Sequence, residues 1–267
     1  MAPATSVRHE AGLALAEPCL EAKADAVARL ARRWRAGGLA VGGDEVALVP
    51  VDEPGRPDRP SLVAPRHLPR RRTTTVAGRV ATLHALVHIE ANAVNLALDA
   101  AHRFAGLPDE YYGDWLRVAE EEALHHRLLV DRLADHDAAY GDLPAHDGLW
   151  QSAVRTAHDP LVRMALVPRV LEARGLDVTP GLRARFAEAG DEATAAVLDR
   201  ILADEVGHVA VGSRWFGWLC DQRGLPPVAT FAALVDEHGV RVVPPFNEPA
   251  RRRAGFDDAE LGALARR

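Results

Sequence analysis

Residues 121–129 read EEALHHRLL, and residues 204–212 read DEVGHVAVG. Both stretches write acid, acid, two spacers and histidine, and both run on into apolar residues. On an α-helix, residues three apart project from one side, so Glu122 with His125 and Glu205 with His208 are each placed to bind one ion. A single such pair carries little weight in a chain with 12 histidines and 38 acidic residues. The surroundings carry more. A lone glutamate precedes each pair, Glu90 in VHIEANAV and Glu172 in RVLEARG, at separations of 122 − 90 = 32 and 205 − 172 = 33 residues. Two helical hairpins thus repeat one ligand set.

One Glu from each of two helices, with Glu-x-x-His from each of two others, is the arrangement that builds a carboxylate-bridged dimetal site inside a four-helix bundle. Four carboxylates and two imidazoles match the charge of two divalent ions, and these ligands favour iron or manganese over thiolate-seeking metals. Buried carboxylates are costly to desolvate, and Leu, Ala and Val flank all four glutamates at core spacing. The expected metal ligands are therefore Glu90, Glu122, His125, Glu172, Glu205 and His208, holding two iron ions or an Fe/Mn or Mn/Mn pair. The competing reading is a chain of salt bridges on solvated helix faces. Glu121 and Asp204, just before the ligand glutamates, are candidates to accept the second ring N–H of the metal-bound histidines, with Asp204 on His125 and Glu121 on His208.

Outward from these stretches, the chain reads as helices. Residues 76–104, VAGRVATLHALVHIEANAVNLALDAAHRF, are almost all helix formers and close at Gly106. Asp109 is placed to cap a second long helix that stays apolar on one face to about Tyr140. Asp159-Pro160 opens a third, which the segment LDVTPG is expected to end, and DEATAAVLDRILADEVGHVAVG belongs to a fourth. Pro168, one turn before Glu172, removes a backbone hydrogen bond and predicts a kink beside the site. The long link between the second and third helices makes this an all-α bundle with a crossover. Ahead of it, residues 11–36 carry a helical hairpin's worth of periodicity, and residues 51–72, dense in proline and arginine, form an extended connector expected to wrap the body. Three segments result: 1–75, an N-terminal helical and extended region; 76–224, the bundle; and 225–267, a short tail.

Composition excludes several classes. A net charge of −6 and a pI near 6.1 argue against a whole-protein grip on nucleic acid. The run Arg70-Arg71-Arg72, with Arg66 nearby, lacks interleaved aromatics and reads first as a solvated or salt-bridged wrap, with RNA contact the lesser reading. Cys19 and Cys220 have neither disulfide-framework nor CxxC spacing, which fits a reducing cytoplasm. No secretory leader or run of about twenty apolar residues is present, so no membrane partner is expected. His84 and His88 are rotated off the Glu90 face and read as packing or hydrogen-bonding groups, while His126 points aside from its neighbour's ligand direction. Trp115, seven residues before Glu122, reads as core filling in preference to an electron relay.

The segments HALVHIEANAVNLALDAAHRF, YYGDWLRVAEEEALHHRLL, YGDLPAHDGLW, ALVPRVLEARGLDVTPG and DEVGHVAVGSRWF resemble the ferritin-like superfamily, and more narrowly the bacterial ferritin-like family known as domain of unknown function 455. PGRPDRPSLVAPRHLPRR and PPFNEPARRRAGF fit as well, so the resemblance spans nearly the whole chain. It implies a dimetal-carboxylate bundle whose six ligand positions match the residues above one by one; it supplies no substrate. The expected function is a dimetal oxidoreductase, di-iron or Fe/Mn, that activates O2 or peroxide to hydroxylate or oxidise a small-molecule substrate, with an external electron donor, as a monomer or small homo-oligomer. The alternatives are metal oxidation, storage or peroxide removal, a tRNA-modifying hydroxylase reached through the basic connector, and a non-catalytic metal-binding helical protein. Against storage stand the long extra segments at both ends and the lack of a rubredoxin-like cysteine quartet.

Overall fold

The computed structural model describes residues 6–42, 48, 51–69 and 71–266. Among them lie eleven α-helices and no β-strand, only two isolated bridges, Ser6 with Ala40 and Leu62 with Ala145. The protein is all-α. No helix is long and apolar enough to cross a membrane. The chain divides into two compact units, Met1–Val154 and Arg155–Arg267. Arg70 of the basic run lies outside the described residues.

In the first unit, α1 (Val7–Ala16) and α2 (Leu20–Arg35) form the N-terminal hairpin, broken at Pro18 because proline cannot donate to the helical ladder. Two long helices follow, α3 (Val76–Arg103) and α4 (Asp109–Ala134), and pack along one another. Helix α1 lies on α3, and α2 on α4. Thr75 caps α3 by accepting from Gly78 N. The cap of α4 is Pro108, so Asp109 is the first helical residue, where its charge favours the positive end of the dipole. At the far end of α3 the buried Arg8 donates to the carbonyls of His102 and Arg103, satisfying acceptors the helix leaves over.

The Pro/Arg-rich connector runs extended along this unit. Val63 N donates to Ala145 O at 2.8 Å and Ala145 N to Ser61 O at 3.0 Å, while Trp150 Nε1 donates to Asp52 O at 2.9 Å. A Cβ on Gly55 would stand 2.2 Å from Ala16 O, so only glycine lets the connector lie this close to the end of α1. A short helix, α5 (Gly148–Arg155), closes the unit.

In the second unit, α6 (Pro160–Leu166) passes directly into a six-residue π-helical segment, Val167–Glu172, which continues as α7 (Ala173–Glu188). Helix α8 (Glu192–Arg223) packs on all three and ends at Gly224 in the left-handed conformation. The tail is helical too: α9 (Pro227–Glu237), α10 (Glu248–Arg253) and α11 (Asp258–Ala265).

One expectation is overturned here. The segment LDVTPG does not end the third helix, which runs on through Pro180 to Glu188. A proline at 180 strips the carbonyl of Leu176 of its helical donor. Asn247 Nδ2 donates to that carbonyl at 3.0 Å, so a side chain from the tail makes the bond the proline cannot. Such a partner seventy-one residues away leaves no local trace.

Candidate metal centre

In the first unit, Glu90 on α3 and Glu122 and His125 on α4 meet in the interior between the two helices. Their side chains are 5, 0 and 0% exposed. His125 Nδ1 lies 3.4 Å from Glu90 Oε2 and 3.4 Å from Glu122 Oε2, and each residue offers a ligand atom within 4.8 Å of the others. The i, i+3 spacing puts Glu122 and His125 on one face of α4, and the packing of α3 against α4 adds Glu90. Burial alone would keep the imidazole neutral, but Glu122 and then Glu90 override it and push its pKa up to about 11. Two carboxylates and an imidazole around one buried point form an O,O,N donor set suited to a divalent first-row metal.

In the second unit, the i, i+3 pair recurs on α8, with His208 Nδ1 3.6 Å from Glu205 Oε2; His208 is fully buried, and the Glu205 side chain is 12% exposed. Glu172 is the last residue of the π segment and half-buried. That segment is where the sequence predicts a kink at Pro168, and the distortion takes the form of widened i→i+5 turns. Gly212, one turn beyond His208, allows the close approach: a Cβ there would stand 2.3 Å from both Cβ and Cγ of Pro168.

The π segment is braced from the tail. The Arg169 guanidinium is buried under the rings of Phe216, Phe231 and Phe256, 4.7, 4.4 and 4.5 Å from their centroids, and its Nη2 donates to Glu260 Oε1 at 2.6 Å. Nearby, Arg251 pairs with Asp177 at 2.7 Å with both side chains buried. None of these pairings is visible from spacing, because their partners lie 74 and 91 residues apart.

The neighbouring acids have partners on their own helices. Arg117 donates to Glu121 at 3.0 Å, and Arg200 to Asp204 at 2.6 Å, both as i, i+4 pairs. His84 Nε2 accepts from Gly141 N at 3.0 Å, and His88 bonds Tyr140 Oη at 2.7 Å and His146 O at 3.0 Å, the hydrogen-bonding roles expected of them. Desolvation drives the His88 pKa down to about 4, which keeps that ring neutral. Trp115 is core, edge-on to Tyr111.

Residues 16–262 match the family described as "Protein of unknown function (DUF455)". The chain belongs to the DUF455 family. Over 223 residues the chain is 46% identical to an "Uncharacterized protein" of Haemophilus influenzae, covering 80% of this chain and 77% of that one. No solved structure matches the chain.

Proposed function

We propose that the two ligand sets, Glu90, Glu122 and His125 with Glu172, Glu205 and His208, share one carboxylate-bridged dimetal centre in a ferritin-like four-helix bundle spanning residues 76–224, and that the protein is a non-haem dimetal oxidoreductase acting on a small-molecule substrate. The observation that carries the reading is the buried Glu90–Glu122–His125 triad, whose donor atoms converge where no water would solvate their charge. The repetition of the same residue types at 32 and 33 residues' separation supports extending it to the second set. Bound there, two iron or manganese ions would supply activation of O2 or peroxide.

The chain's own part is electrostatic and steric. Four carboxylates offset the charge of two divalent ions, and the two imidazoles, deprotonated at the ligating nitrogen, complete each set. Within each unit the ligand-bearing helix carries buried apolar residues close in sequence to the ligands, Val118 and Ala119 one turn before Glu122 on α4 and Val209 beside His208 on α8, and such a setting would limit bulk water at the metals. Electrons for such a reaction come from an external donor, the two cysteines being single thiols in different units.

Metal analysis of the purified protein, paired with oxygen uptake in the presence of a reductant, tests the reading. Two iron or manganese ions per chain are expected, falling to one or none in Glu122→Ala and in Glu205→Ala. A metal-loaded protein that reacts with neither O2 nor peroxide sinks the enzyme reading, and a full metal complement in Glu205→Ala sinks the shared centre.

A further inference from the structure

The first unit holds an open cavity of about 340 Å3 that neither ligand set uses, bordered by α3, the start of α2, the connector at Gly55–Leu62 and Tyr140. Ala91 and Asn95, which line it, stand about 100° and 140° around α3 from Glu90, so this is a different face of the helix. Leu20, Pro57, Leu62 and Ala91 make much of the wall apolar. Its polar part includes Asn95 and Arg56, and behind Asn95 stands a buried cation, Lys23.

Lys23 is 1% exposed, and its Nζ donates to Leu15 O at 3.2 Å, Gly55 O at 2.9 Å and Asn95 Oδ1 at 2.5 Å. Three acceptors around one amine nitrogen require all three ammonium protons, so the geometry specifies the charged form. Burial opposes it, Arg56 adds to the opposition, and the Glu17 carboxylate offsets only part; the net effect pulls the Lys23 pKa down to about 7. Among the described residues no carboxylate lies within ion-pair distance of Nζ. Arg56, also in the wall, is different: Asp147 neutralises it at 2.5 Å. Glu17 favours the cation without forming an ion pair with it, a buried cation so weakly compensated is costly, and the cavity is the open space beside its partner Asn95. Asn95 connects the two. Its amide oxygen is committed to Lys23, which turns its Nδ2–H2 into the free end, and that nitrogen has no acceptor among the described residues.

We infer that this cavity binds a small organic carboxylate, its charged end accepting from Asn95 Nδ2 beside Lys23 and Arg56 and its apolar body lying against Leu20, Pro57 and Leu62. The ligand adds negative charge to the partial compensation that Glu17 gives Lys23, and its body replaces water along the apolar wall. Asp58, also in the lining, lies at the exposed rim and disfavours carboxylates that leave their charge at the entrance.

Titration calorimetry of the full chain with sodium hexanoate, hexanamide and inorganic phosphate tests this without reference to metal. Hexanoate is expected to bind saturably, at least tenfold tighter than hexanamide and tighter than phosphate. Asn95→Asp builds a carboxylate beside Lys23; it is expected to weaken hexanoate at least tenfold and to raise Tm. Leu62→Trp fills the cavity from the exposed connector, leaves the buried charge untouched, and is expected to weaken hexanoate to a similar degree. Equal binding of acid and amide, tighter binding of phosphate, or wild-type hexanoate affinity in Leu62→Trp would each overturn the assignment.

Discussion

Glu90 and Glu172 occupy equivalent places in the repeated pattern of a lone Glu followed by Glu-x-x-His, yet their backbones differ. Glu90 sits in the middle of a 28-residue uninterrupted α-helix, while Glu172 ends a six-residue π segment between two α-helices. The α3 position is fixed by regular i→i+4 bonding and by its packing on α4; the π segment has wider turns and relies on side chains from elsewhere in its unit. Arg169 and Glu260, Gly212 against Pro168, and Asn247 on the Leu176 carbonyl together do for α6–α7 what regular helix geometry does for α3. In the second unit, the placement of Glu172 is therefore a property of the tail as much as of the helix that bears it.

The strongest way to break this contrast is Glu260→Ala. It leaves the Arg169 guanidinium buried among three rings without its carboxylate, and removing one partner of a buried pair costs ~3–5 kcal/mol. Urea denaturation should show that loss, and the double variant Arg169→Met/Glu260→Leu should recover most of it, since apolar replacement of both partners removes the stranded charge. A loss below about 1 kcal/mol in the single variant would mean the π segment does not depend on the tail. Gly212→Ala comes next. The added methyl gains helix propensity but collides with the rigid Pro168 ring, for a net destabilisation of ~1–2 kcal/mol. An unchanged denaturation midpoint would show that α8 and the π segment separate at no cost. Asn247→Ala removes both the donor to Leu176 O and the cap on Ala250 N and should cost about 1 kcal/mol. Pairing it with Pro180→Ala, which restores the helical donor, should reduce that cost.

The same contrast explains what was legible in the sequence. Helix α3 and the Glu122–His125 pair are written in local periodicity, and α3 falls at residues 76–103 as its composition predicts, because each residue's neighbours decide its conformation. That Pro168 disturbs regular helix bonding was legible for the same reason. Its π form, and the passage of α7 through Pro180, were not, because the groups that stabilise them are at 247, 251 and 260. Lys23 is an intermediate case. It stands four residues before Val27 and seven before Leu30, on the buried stripe of α2, so the periodicity marks it as a lysine out of place. The stripe alone does not say which carbonyls receive it.

The smallest effects should come from Glu121 and Asp204, where the two regions are most alike. Each acid is held by an arginine four residues before it, at 3.0 and 2.6 Å, on a partly exposed face. Exposed i, i+4 pairs contribute about 0.3–0.5 kcal/mol, so Glu121→Gln and Asp204→Asn should each shift stability by no more than that. Their effect on metal is a separate matter. A carboxylate that also orients a ligating histidine changes metal affinity by roughly 10–100-fold when it is lost, with little change in folding. Measured side by side, the two variants therefore separate roles that stability alone merges. A small stability change with unaltered metal content assigns both acids to their arginines, and a metal loss in one variant but not the other would mark which histidine leans on a neighbour beyond its own helix.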